Sequence, residues 1–214
     1  DYTVFNDKST KQITGNVIDG LLENDEYGNL VPSVAEDWTV SKDGMTYTYK
    51  IREGVKWYTN EGEEYGEVKA KDFVAGLKHA ADKKSQALYL VQDSIKGLDD
   101  YVNGKTTDFS TVGIKATDDH TLVYTLNHPE SFWNSKTTMG VLAPISEDFL
   151  ASKGDDFGKA TDVTSILYNG AYLLKGLTSK SSIDMTKNKN YWDKEHVFID
   201  EIKLSFFDGQ DADS

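Results

Sequence analysis

The alternation of bulky and polar side chains is sharpest within residues 31–57. Thr46-Tyr47-Thr48-Tyr49-Lys50-Ile51-Arg52 sets Tyr47, Tyr49 and Ile51 on one face and Thr, Lys and Arg on the other, the pattern of an antiparallel strand with one wet side. A preceding strand-like run follows Ala35-Glu36-Asp37-Trp38, and Asp43-Gly44 between the two runs predicts a tight hairpin. Pro32 predicts a turn before the first run. Arg52-Glu53-Gly54-Val55-Lys56-Trp57 predicts a turn out of the second that returns an aromatic to the core.

Elsewhere a helical period takes over. Val17 with Leu21, and Ile18 with Leu22, stand at i, i+4 and predict a short helix over residues 16–23. Phe73, Leu77, Ala80 and Ala81 predict a second, from Lys71 to about Ala81. A third starts at Ser85 as its N-cap, carries Leu88, Val91, Ile95, Leu98 and Val102 along one stripe, and stops at Asn103-Gly104. Leu122, Tyr124 and Leu126 alternate as a strand closed by Pro129. Ser146 caps a short helix after Pro144 with Phe149 and Leu150 inward. Residues 172–177, 182–187 and 199–207 read as strands, with Thr178-Ser179-Lys180 as a turn. The chain is mixed helix and strand, with no repeat and no linker-like segment. Any domain division is therefore discontinuous in sequence.

Charge and residue usage narrow the functions. A net charge of −13 and a pI near 4.7 disfavour nucleic-acid binding, which rests on clustered Lys and Arg. No apolar run approaches the roughly 18 residues of a membrane span. With no cysteine, disulfides, thiolate metal sites and cysteine nucleophiles are excluded together. None of His79, His120, His128 and His196 has a metal-ligand spacing, and His79, two residues beyond Leu77, is expected on the exposed side of its helix. Asp208-Gly209-Gln210-Asp211-Ala212-Asp213 lacks the glycine spacing and terminal Glu of a calcium loop. Glu61-Gly62-Glu63-Glu64 reads as a solvated loop. No nucleophile elbow, phosphate loop or dinucleotide fingerprint occurs. The residues argue for a binding protein rather than an enzyme, and they call for no cofactor or metal.

Five segments in order carry a resemblance. Val31 to Trp57 is similar to the signature of the bacterial extracellular solute-binding proteins of family 5. So are Ala116-Thr117-Asp118-Asp119-His120-Thr121, Tyr168-Asn169-Gly170-Ala171-Tyr172 and Asn188-Lys189-Asn190-Tyr191-Trp192-Asp193, together with Asn16 to Leu30 at the start. The wording most resembles that of streptococcal oligopeptide-binding lipoproteins. The resemblance implies an α/β (mixed α+β) fold, part of a periplasmic-binding-protein type II-like lobe with an inserted sheet-and-helix domain. Residues 1–19 and 144–214 would belong to the ligand-binding lobe and residues 20–143 to the insertion. A strand before Asp1 and a distal lobe after Ser214 would complete it, so this stretch alone is expected to bind ligand weakly.

Function follows by the same resemblance: capture of extended oligopeptides between two lobes and delivery to the membrane permease of an ABC transporter. The protein would sit on the extracellular face of a Gram-positive membrane through a lipid anchor. Peptide sensing or adhesion, or a non-peptide ligand such as nickel, haem or an oligosaccharide, remain alternatives. Ligand-facing residues are expected at Asn6, Asp7, Lys8, Ser9 and Thr10, a loop meeting the start of the peptide, and at Tyr168, Asn169 and Gly170 near the cleft. Either Gln86 or Tyr89 supplies the position on the third helix. Trp133, in a loop after Pro129, is the tryptophan expected near ligand, whereas Trp38, Trp57 and Trp192 read as core.

Overall fold

Ten residues, Lys8–Val17, form the first helix, α1, in the computed structural model, which describes residues 1–5, 8–159, 162–178 and 182–205. Asn6, Asp7, the turn residues Ser179 and Lys180, and the acidic stretch 208–213 lie outside the described residues. The helix expected over residues 16–23 is displaced. Helical bonding ends where Ile18 N donates to Thr14 O (2.9 Å), and the chain then turns extended. Leu22–Asn24 is a strand, β1, paired with β2 (Leu30–Pro32) around Gly28 at φ +81°. The four apolar residues that suggested a helix are all buried. They fill the core from a helix end and a strand start rather than from one helical stripe.

The hairpin forms as its sequence predicts. β3 (Ala35–Val40) and β4 (Thr46–Ile51) meet through Gly44 at φ +73°, with Met45 N donating to Asp43 Oδ1 (3.0 Å). Tyr47, Tyr49 and Ile51 are buried. β5 (Lys56–Tyr58) pairs with β6 (Glu64–Glu67), and α2 (Ala70–Asp82) packs over the main sheet. Asp72 locks the start of α2. Its carboxylate accepts from Lys69 N (3.0 Å), Glu147 N (3.0 Å) and the Trp57 indole (2.9 Å), which fixes Trp57 in the core.

The third expected helix is broken. A single 3-10 turn spans Leu88–Leu90, and only Leu98–Val102 is helical (α3). Between them Ile95 bridges Leu126, and Lys96 exchanges backbone bonds with Thr125 and Gly113. Gly97, at φ +75°, lies so close to Thr111 that a Cβ would stand 2.6 Å from its carbonyl oxygen. The stripe Leu88, Val91, Ile95 and Leu98 is buried as its periodicity suggests. The backbone there spends its hydrogen bonds on a strand end instead of on itself.

β7 (Ile114–Asp118) and β8 (Thr121–Thr125) complete a four-stranded sheet in the order β3-β4-β8-β7. α4 (Trp133–Lys136) and α5 (Glu147–Lys153, capped by Ser146) follow. β9 (Tyr172–Thr178), β10 (Ser182–Lys187) and β11 (Glu201–Ser205) make a second antiparallel sheet in the order β11-β10-β9. His79 is not on the exposed face. Segments beyond α2 cover it, its Nε2 lies 2.5 Å from Asp1 Oδ2, and its ring meets Phe157 edge-on. Burial holds its pKa below the usual histidine range.

The end of α1 meets residues 169–170 and 191–192 at one knot. Asp19 N donates to Asn169 Oδ1 (2.7 Å), and Asn169 Nδ2 donates back to Asp19 O (3.2 Å). Gly170 N donates to Val17 O (2.9 Å), and a Cβ on Gly170 would stand 2.6 Å from the Val17 carbonyl carbon. The Asp19 carboxylate accepts from the Tyr191 hydroxyl and, at 3.4 Å, from the Trp192 indole, whose ring carries the Arg52 guanidinium 4.2 Å above it.

Two outcomes follow from this knot. Asn169→Ala removes both clamping bonds and leaves buried backbone groups without partners, so urea denaturation should show a loss of about 2–4 kcal/mol; a loss under about 0.5 kcal/mol would mean the clamp is ornamental. Burial pushes Asp19 up to about 7, against the Tyr191 and Trp192 donors and with added repulsion from Glu23 and Asp193. A carboxyl whose pKa rises on folding holds its proton more tightly in the folded state. Its contribution is therefore full below about pH 4, the ordinary carboxylate range, and is lost as pH climbs through about 7. Between those values the stability of Asp19→Asn should fall less steeply with rising pH than that of the parent, and identical slopes would contradict the assignment.

Candidate functional site

α1 is flanked by two hollows, and the turn formed by residues 1–5 runs beside it. Ser85 Oγ donates to Thr3 O (2.6 Å) and Gln86 N donates to Val4 O (2.9 Å), so the segment after α2 pins residues 3–4 in place. The same pinning delivers Phe5 and Tyr89 to one mouth, where they stand 48% and 70% exposed. Behind them lies a hollow of about 330 Å³ lined by Tyr2, Lys11, Ile18, Leu90, Met139 and Val141 among others. Thr10 and Thr14 form its α1 wall and also line a smaller hollow of about 150 Å³ on the other side of the helix, bounded by Val163, Tyr168 and Leu174. Burial drives the Tyr2 hydroxyl far above the usual tyrosine range, with Asp72 and Tyr168 adding to the shift. It stays neutral and donates to Pro144 O (2.7 Å).

The expected site residues divide sharply. Lys8 and Ser9 open α1 rather than a loop, and Thr10 follows on its first turn. Asn6 and Asp7, and the side chains of Lys8 and Ser9, lie outside the description. Thr10 and Tyr89 come together at the hollow, and Tyr89, not Gln86, lines it. Trp133 is a correction: it begins α4, is 0% exposed, and packs against Tyr47 and Tyr124 with ring centroids 6.3 and 5.2 Å apart. It meets no solvent. Tyr168 and Asn169 are also wholly buried. Tyr168 exchanges backbone bonds with Tyr58, both 2.8 Å, and its hydroxyl donates to Val163 O. Gly170 does permit close backbone approach, but the approaching backbone is Val17 of this chain.

Sequence reasoning missed Phe5, Lys11, Leu90 and Met139. Phe5 carried a readable signal, an aromatic on the first, polar-flanked segment. The others are ordinary helix or turn residues whose convergence is a property of the fold. Larger depressions exist elsewhere, one of about 770 Å³ between α2, β7 and α5, but it holds none of the expected residues. Among the described residues no group of three or more His, Asp or Glu is placed to hold a metal ion, and no helix is long and apolar enough to cross a membrane.

The model of bacterial extracellular solute-binding proteins, family 5 middle, matches residues 29–214. The oligopeptide-binding protein SarA of Streptococcus gordonii is 68% identical over 210 residues, covering 98% of this chain and 32% of that protein. AliA of Streptococcus pneumoniae, also an oligopeptide-binding protein, is 71% identical over 204 residues, covering 95% of this chain and 31% of its own length. The chain thus spans about a third of the relatives it matches. Among solved structures, the peptide-bound OppA of Listeria monocytogenes superposes with a TM-score of 0.86 at 31% identity, over 97% of this chain and 40% of that one. The pheromone receptor PrgZ superposes at 0.87 and 27% identity, over 96% and 40%.

The division between core and mouth is measurable. Trp133→Ala should cost about 3–5 kcal/mol of unfolding free energy, and Tyr89→Ala should change it by no more than about 0.5 kcal/mol. Comparable losses at the two positions would contradict it.

Proposed function

The chain belongs to family 5 of the bacterial extracellular solute-binding proteins, and on that premise we propose that it forms one wall of a receptor for extended oligopeptides. The observation that carries the reading is the mouth beside α1, where two exposed aromatic side chains, Phe5 and Tyr89, border an apolar hollow. Large apolar groups held in water at the lip of a cavity favour a ligand that covers them. An extended peptide satisfies its own N–H and C=O groups along strand edges, so main-chain pairing is indifferent to sequence while hollows of this size take single side chains. Oligopeptide binding by SarA and AliA supports the same chemistry here.

On this reading residues 1–19 and 144–214 belong to the ligand-binding lobe, and residues 20–143 form an insertion. A second lobe would close on the peptide as a hinged clamp, a membrane permease would accept it, and a lipid anchor would hold the receptor at the outer face. Gln86 and residues 6–9 remain in the proposed contact set. Trp133, Tyr168, Asn169 and Gly170 act only by shaping the wall. The pheromone receptor among the structural relatives favours a second use of the same site, reception of a peptide signal.

Native mass spectrometry with a mixed peptide library tests the reading. The chain extended to the length of its streptococcal relatives should retain peptides of a limited length range, and the 214-residue chain should hold them at least about tenfold more weakly, because one wall buries only part of a ligand. Retention of a sugar or metal in place of peptides would refute the ligand class.

A further inference from the structure

The hollow beside α1 has a chemical bias of its own. The chain carries 36 acidic residues, yet among the described residues none lines this hollow, and Lys11 is the only charged one that does. Among the described residues Lys11 has no ion-pair partner. Ile18, Leu90, Met139 and Val141 supply an aliphatic interior, and Met139 brings a flexible, polarisable thioether that adapts to varied shapes. The polar hydrogens nearby are already committed. The Tyr2 hydroxyl donates to Pro144 O, the Thr14 hydroxyl to Thr10 O (2.7 Å), and the Thr138 hydroxyl to Ser135 O (2.8 Å).

Size settles what fits. At about 330 Å³ the hollow lies at the bottom of the range of about 300–1,000 Å³ typical of ligand pockets, enough for one bulky side chain and too small for several residues of peptide. A Lys or Arg side chain entering it would lose water, find no carboxylate among the described lining residues, and meet the Lys11 ammonium. An apolar side chain would lose water to Ile18, Leu90 and Met139 and cover Phe5 and Tyr89 as well.

Building on the peptide-receptor reading, we infer that the hollow between α1, Tyr89 and Met139 is a side-chain pocket that selects one large apolar residue of the bound peptide and rejects a cationic one. Lys11 is the specificity-determining cation and Tyr89 the wall that closes over the bound side chain.

Amide chemical-shift titration of the 214-residue chain with capped pentapeptides Ac-Ala-Ala-X-Ala-Ala-NH2 tests this, because it reads binding into the millimolar range. With X as Leu or Phe, shifts should map to residues 10–18, 89–90 and 138–141, and Kd should lie at least about tenfold below that for X as Lys. Tyr89→Ala should weaken the Leu and Phe peptides about tenfold and leave the Lys peptide unchanged. Lys11→Glu, also at an exposed position, should bring the Lys peptide to within about threefold of the Leu peptide. Equal affinities for all X, or shifts mapping away from these residues, would overturn the pocket assignment and leave peptide reception standing. Absence of any shift with every peptide would overturn the pocket assignment, and peptide reception is then decided by library retention on the extended chain.

Discussion

Asn169 grips Asp19 by both of its backbone groups, and the rest of the site depends on that grip. A primary amide is the one uncharged side chain that offers an acceptor and donors in the geometry of a peptide bond. Buried completely, Asn169 acts as a substitute strand segment for a backbone that has just left a helix. Gly170 brings its own backbone against Val17, and Gly20 packs so near Thr137 that a Cβ would stand 2.9 Å from its carbonyl oxygen. These three close approaches determine where α1 ends and in which direction β1 departs. Ile18 and Gly20, both on this knot, are also walls of the hollow. The family segment around Tyr168, Asn169 and Gly170 therefore acts on the hollow beside α1 from behind it.

A second constraint keeps the aromatic residues apart by role. Tyr47 and Tyr49 from β4 and Tyr124 from β8 present their rings to one side of the four-stranded sheet, and Trp133 fills the space between them. Glu130 helps to hold that corner. It is nearly buried, and it accepts from Lys136 Nζ (3.1 Å) and Ser94 Oγ (2.8 Å), tying the loop before α4 to the broken helix. With the large rings spent on the core, only Phe5 and Tyr89 of the described residues around α1 are left as exposed aromatic surface at the mouth. The position of an aromatic along the chain says little about which of these roles it takes.

What the sequence made legible follows from which interactions are local. The β3–β4 hairpin was readable because Asp43-Gly44 and strict alternation act within a few residues, and α2 was readable because its apolar stripe fits one uninterrupted helix. The failures share a cause. Residues 16–23 and 85–102 have helical spacing in their apolar positions, but their backbones are captured by distant partners, Asn169 in one case and Thr125 with Gly113 in the other. Periodicity identified which side chains are buried and misidentified the backbone that carries them. At the hollow beside α1, Thr10 and Tyr89 had been singled out through the family resemblance. Lys11, Leu90 and Met139 were not, because nothing local marks residues from three separate segments as neighbours.

The most direct test of this account is photo-cross-linking with a benzophenone-bearing peptide, read by peptide mapping. The account predicts adducts on residues 1–18, 86–90 and 138–141, the segments that meet at the mouth beside α1, with none on Trp133 or Asn169. Adducts concentrated in the groove between α2, β7 and α5, or on the outer face of the β3-β4-β8-β7 sheet, would show that the peptide-facing surface lies elsewhere on the chain.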